Sequence, residues 1–218
     1  MASVESVILE ATEPAAADAF TTAAFGVNDR VGARVSDEPS TGFRGFSLSL
    51  VVSQPSTVDS LVGTALDRGA TTSKPVKKSF WGYGGVVQAP DGTIWKVATS
   101  SKKETGPSTG RVDDVVLLLG VDDVKASKRF YVDRGLMVAK SFGGKYVEFE
   151  SSPSRVTLAL LRRDALAKDV GVSTDGTGSH GIVIRSDAGT FTDPDGFSWE
   201  AATTTRWPRA SSTRSKPS

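Results

Sequence analysis

Gly84-Gly85-Val86-Val87-Gln88-Ala89-Pro90-Asp91-Gly92-Thr93-Ile94-Trp95-Lys96-Val97 reads as a strand, a turn and a second strand. Proline presets φ for a turn, aspartate can bond its own backbone, and glycine accepts positive φ, so the two apolar runs form a hairpin. The same plan returns later as Gly189-Thr190-Phe191-Thr192-Asp193-Pro194-Asp195-Gly196-Phe197-Ser198-Trp199-Glu200-Ala201. Pro-Asp-Gly, two positions and Trp recur at the same spacing. A repeat at that separation predicts a duplicated unit.

The rest of the chain fits two halves. Its 218 residues suit two small domains, each with a modest core. A net charge of +1 gives no general attraction to nucleic acid or to an anionic membrane. The absence of cysteine excludes disulfides, thiolate catalysis and Cys-ligated metals. Met1 to Glu10 has no basic residue and so does not resemble a signal peptide. No apolar run approaches the ~20 residues of a membrane span. A soluble, cytoplasmic monomer or homodimer is expected.

Strands are predicted at Ser6–Ala11, Arg30–Ser36 and Phe46–Val51, and helices at Ala15–Phe25 and from a Ser56 or Thr57 cap to Arg68. Residues 101–111 have linker composition and divide a first domain, 1–100, from a second, 112–205; residues 206–218 read as a flexible tail. The second half repeats the order. It has a strand from Asp114, a helix capped by Asp122 or Asp123 and stopped by Gly135, strands at Tyr146–Glu150 and Val156–Leu160, and His180–Arg185 matching Phe46–Leu50.

Phe130-Tyr131-Val132-Asp133-Arg134-Gly135-Leu136, together with the two Pro-Asp-Gly hairpins, resembles the vicinal oxygen chelate superfamily of glyoxalases, bleomycin-resistance proteins and extradiol dioxygenases. The resemblance spans most of residues 4–205. It implies an α+β fold: two tandem glyoxalase-like domains of paired βαβββ modules, whose antiparallel-rich sheets curl into cups. Members that do chemistry hold a divalent metal there, on residues of the first strands and of the strand after the Pro-Asp-Gly turn.

Carried onto this chain, those positions fall near Ser6, Gly45 and Lys96 in the first half. A charged ammonium has no lone pair and serine is a poor ligand, so no metal is expected, and Lys96 is expected to pair with Glu10. In the second half they fall at Asp114, His180 and Glu200, an acceptable set for Fe, Mn or Zn. The same residues read equally as a strand entry, a polar strand start and a solvated strand residue.

Two functions follow. The favoured one is a metal-free, cofactor-free binder of a small aromatic or hydrophobic molecule, drug or metabolite, with no catalytic residue. Trp81, Tyr83, Tyr146, Glu148 and His180 are its candidate ligand contacts, since aromatic rings and a strand face can line a cup. The alternative is a metal-dependent lyase or dioxygenase using Asp114, His180 and Glu200.

The second half is also short. Forty-five positions separate Gly45 from Pro90, but only 14 separate His180 from Pro194. Either a helix after Ile184 has been deleted, or the printed chain closes over a mobile segment between Arg185 and Gly189. The second is expected, because losing the helix leaves Val183 without apolar cover.

Overall fold

A computed structural model of the chain describes residues 2–80, 82–152 and 155–202. β1 (Val4–Ala11) buries Val7 and Leu9. Pro14, whose φ is already helical, opens α1 (Pro14–Phe25), and Gly26 at φ 65° closes it in the left-handed region. β2 (Val31–Val35) lies parallel to β1, and β3 (Ser40–Gly42) stands apart. Then come β4 (Phe46–Val51), α2 (Pro55–Asp67), β5 (Thr71–Ser79), β6 (Gly82–Gln88) and β7 (Ile94–Thr99). The second half supplies β8 (Asp114–Val121), α3 (Val124–Val132), β9 (Val138–Ser141), β10 (Tyr146–Phe149) and β11 (Val156–Arg162). It ends with α4 (Arg163–Val170), β12 (Gly176–Gly178), β13 (Ile182–Ser186), β14 (Phe191–Thr192) and β15 (Ser198–Ala201).

The expected cap of α3 is present: the Asp123 carboxylate accepts from the N–H groups of Lys125 and Ala126 at 2.8 and 3.1 Å. The expected cap of α2 is not. That helix begins two or three residues earlier, at Pro55 after Gln54, and its Ser56 N–H donates to Glu104 of the connecting segment at 3.1 Å. A remote carboxylate thus does the work assigned to Ser56 or Thr57.

Among the described residues thirteen strands join in one sheet that draws on both sides of the connecting segment. β4 pairs antiparallel with β8, setting Leu48 opposite Leu117, and β1 pairs antiparallel with β13, setting Val7 opposite Ile184. The units β4–β7 and β8–β11 therefore face each other, and the shorter units β1–β2 and β13–β15 do the same. Val4 opposite Val156 joins the two assemblies.

Alternation sorts the side chains by face. Leu48, Leu50, Trp95, Val97, Leu117 and Leu119 pack toward the core containing residues of α1, α2 and α3. Val86, Ile94, Leu118 and Ala159 meet Leu166, Ala167 and Val170 of α4 on the other face.

Residues 187–190 form a turn between β13 and β14, and no helix follows Ile184 among the described residues before β15. Ser186 Oγ accepts from Ala188 N–H at 3.0 Å and donates to Ser3 O at 2.8 Å, so the turn is tied down. The return to β15, parallel to β13, is made by the two-residue β14 on the far side of β15, not by a helix. Val183 is only 1% exposed without that helix.

Candidate functional site

The repeated hairpin carries a buried carboxylate hub in one copy and lacks it in the other. In the second copy the buried Asp193 carboxylate accepts from Tyr131 Oη, from Trp199 Nε1 at 3.2 Å, and from the Asp195 and Phe197 N–H groups at 3.0 and 2.9 Å. In the first copy the equivalent residue is Ala89, and the buried Trp95 Nε1 has no partner among the described residues. Burial and Asp193 together hold the Tyr131 phenol well above its ordinary pKa, so it stays a donor.

His180 binds this hub to the β3–β4 connection. Its Nδ1 lies 2.6 Å from Arg44 O, its Nε2 3.0 Å from Asp195 O, and its ring stacks on Phe197 at 3.9 Å. Gly45, at φ 84°, must be glycine: a Cβ there would stand 2.4 Å from Arg163 Nη1 and 3.3 Å from His180 Nδ1. Both ring nitrogens already face backbone carbonyls, which suits a positioning residue rather than a ligand contact.

The other expected contacts are scattered. Tyr83 donates to Asp59 of α2 at 2.8 Å, on the face of the sheet that packs against α1 and α2. Tyr146 donates to Glu148 at 2.7 Å on the opposite side, and Glu148 also pairs with Lys140 at 2.7 Å. Trp81 lies outside the described residues, as does the tail 206–218.

Asp114, His180 and Glu200 do not converge. Asp114 accepts from Thr157 Oγ1 at 3.0 Å on β8, whereas Glu200 on β15 accepts from Arg34 at 2.6 Å. No three His, Asp or Glu side chains among the described residues are grouped to hold a metal.

The donor chemistry agrees. Across β7, β4, β8 and β11 the row at Lys96 reads Lys96, Ser49, Val116 and Thr157, which offers no carboxylate or imidazole. In the smaller assembly Arg34 bridges Glu10, at 2.7 Å, and Glu200, at 2.6 Å. Burial alone lowers the pKa of that guanidinium, but hydrogen bonds and charge from Glu200 and Glu10 outweigh it and raise the value. A fixed cation thus stands between the two carboxylates, and these residues do not fit the divalent metal the resemblance implies.

Lys96 is paired, but not with Glu10. Its Nζ donates to Asp169 of α4 at 2.7 Å, while Lys74 Nζ donates to the Lys168 and Asp169 carbonyls at 2.6 and 2.7 Å at the end of the same helix. The pairing of β1 with β13 places Glu10 in the other assembly, beyond reach of Lys96. Helix α4 was not foreseen in the sequence, although Leu166, Ala167 and Val170 at helical spacing and Gly171 as a left-handed stop were legible signals. Its three buried residues fill the sheet face where a ligand cup was expected.

Burial pushes the Asp114 carboxyl above its usual value, against the Thr157 hydroxyl and the Val115 N–H, which pull it down. A carboxyl whose folded pKa is raised holds its proton to higher pH than the unfolded chain does. Stability therefore falls as pH rises from the ordinary carboxylate value through the raised one. Asp114→Asn is expected to raise the thermal midpoint at pH 7 and to leave it unchanged near pH 3. A loss at pH 7, or equal gains at both values, would contradict this.

The open concavity is elsewhere. A groove of about 1050 Å³ lies between α1, the segment 36–42 and the Ala89–Thr93 turn. Ala16, Ala17, Phe20, Pro39 and Pro90 supply apolar wall, Arg44 and Arg68 supply charge, and Glu13, Asp37 and Glu38 also line it. Of its lining, the turn and Glu10 were singled out in the sequence. The groove joins residues distant in the chain, which no local pattern displays.

No family model and no curated protein sequence matches the chain. Among solved structures, glyoxalase I from Zea mays is similar over 91% of both chains, with 12% identity and a TM-score of 0.57. A putative dioxygenase from Bacillus subtilis subsp. subtilis str. 168 is similar over 88% of this chain and 71% of its own, with 10% identity and a TM-score of 0.51. At such identity the likeness is one of fold. With pairing of two βαβββ units and likeness along nearly its whole length, the chain has the glyoxalase fold.

Proposed function

We propose that the protein binds a small aromatic or hydrophobic molecule without transforming it, in the groove between α1 and the Ala89–Thr93 turn. The observation that carries this reading is the groove itself. Its volume is at the upper end of small-molecule sites, and its alanine-rich wall suits a flat body. The sheet face expected to hold the ligand is filled by α4, and the Glu10–Glu200 gap is spanned by Arg34. The reading needs no metal or other cofactor. A lyase or dioxygenase reading rests on Asp114, His180 and Glu200, whose separate partners give it no support.

Benzamide, flat and uncharged, is a suitable probe. Its titration into chelator-treated protein is expected to saturate in the millimolar range, a binding free energy of about 4 kcal/mol. Ala16→Trp, an exposed helix position on the groove wall, is expected to weaken it at least ~10-fold without changing the thermal midpoint. Binding that requires added metal, or is indifferent to Ala16→Trp, would overturn the proposal.

A further inference from the structure

Arg44 is a charge in search of a partner. Its side chain is 10% exposed, yet the nearest carboxylate oxygen, Asp91 Oδ2, is 4.0 Å away. That carboxylate is already engaged by Thr93, through its N–H at 3.2 Å and its hydroxyl at 2.5 Å. Arg44 Nη2 donates to Thr93 Oγ1 at 2.8 Å, while Nε and Nη1 have no protein partner among the described residues. Burial lowers the pKa of this guanidinium and Asp91 only partly restores it, the reverse of the balance at Arg34. Buried charges are ordinarily matched by a close counter-charge, so an arginine whose side chain is nine-tenths buried, with open donors where it lines a cavity, is a receptor geometry.

The surroundings hold it there. His180 fixes the Arg44 carbonyl at 2.6 Å, and the Phe46 ring lies 5.3 Å from the guanidinium carbon. Gly181, at φ 65°, lets the guanidinium lie against the backbone: a Cβ there would stand 2.7 Å from Nη1. Arg44 lines both the large groove and an adjoining cavity of about 220 Å³, whose other lining includes Arg163 and the 176–180 segment and no carboxylate.

We infer that Arg44 is an anion subsite at the floor of the groove, and that the ligand is a monocarboxylate whose apolar body lies along Ala16, Ala17 and Phe20. This rests on the groove being the binding site. A planar carboxylate can accept along one edge of the guanidinium, from Nη2 and either Nε or Nη1, because Nη2 spends only one of its two N–H groups on Thr93. A second negative group on the ligand would meet Glu13, Asp37 and Glu38, which favours a monoanion over a phosphate ester or dicarboxylate.

Acetate tests the subsite without the groove. Titrated against sodium chloride at equal ionic strength, it is expected to shift the Gly92, Thr93 and Gly181 amides saturably, with half-saturation on the order of 10 mM. Methyl acetate should leave those amides unmoved. Arg44→Gln is expected to weaken acetate at least ~10-fold, and Arg44→Lys, which keeps the charge, to retain part of it. Acetate shifts that match chloride, or that survive Arg44→Gln, overturn the subsite. If benzamide still binds and still responds to Ala16→Trp in that case, the groove stands and only the carboxylate is wrong. If acetate binds as expected while benzamide ignores Ala16→Trp, the groove fails and Arg44 is an isolated anion site, which overturns the monocarboxylate with an apolar body. Should Arg44→Gln not fold, the acetate and methyl acetate comparison on the unaltered protein decides.

Discussion

Asp193→Ala is expected to destabilise the protein by about 3–5 kcal/mol, because it strands buried donors that now share one carboxylate. Tyr131 Oη, Trp199 Nε1 and the Asp195 and Phe197 N–H groups all converge on it. The two rings are fully buried side chains of the core, so water cannot replace the lost acceptor. Asp193→Asn keeps one acceptor oxygen and is expected to cost less, about 1–3 kcal/mol. Urea unfolding is the measurement, with the loss appearing in the midpoint and not in the slope. A loss below about 1 kcal/mol for the alanine variant would show that the hub is dispensable. The first copy of the hairpin supplies the contrast. Ala89 offers no acceptor there, and Trp95 Nε1 goes without one, so the same turn chemistry folds without the hub.

Leu166→Ala is expected to cost about 2–4 kcal/mol, the range for emptying a fully buried leucine site. Leu166 is 0% exposed and sits with Ala167 and Val170 against Leu118 and Ala159. Leu166→Glu carries the test further. A carboxylate cannot be buried against those residues, so α4 should leave the sheet. The Lys96–Asp169 pair, partly exposed on both sides, is too weak to hold it. Binding of a hydrophobic dye and tryptic cleavage at Arg162, Arg163 and Lys168 should then rise together. An unchanged cleavage pattern would mean that α4 is not the element covering this face.

The fold was legible in the sequence because its signals are local. Alternation in Phe46–Val51 marked β4, the Pro14 start and Gly26 stop framed α1, and the duplicated Pro-Asp-Gly turn announced the repeat. Which units face each other was not legible. Pairing of β1 with β13 and of β4 with β8 is decided by nonlocal contacts, and the expected Glu10–Lys96 pair failed for that reason. The proposed site was less legible still. Tyr146 and Glu148 lie on the face that α4 shares, yet they bond each other, and His180 turned out to position backbone. Arg44 carried no motif at all. Its importance comes from a burial and an uncompensated charge that only the assembled fold creates.

Binding in the α1 groove is tested most directly by mapping where benzamide perturbs amide resonances across the protein. Occupancy of the groove predicts shifts at Ala16, Ala17 and Phe20 and at Gln88, Asp91 and Gly92, with the concave strands quiet. Shifts centred instead on Tyr146, Glu148 and Thr157, or on Arg185 and Glu200, would place the ligand in the sheet faces and contradict it.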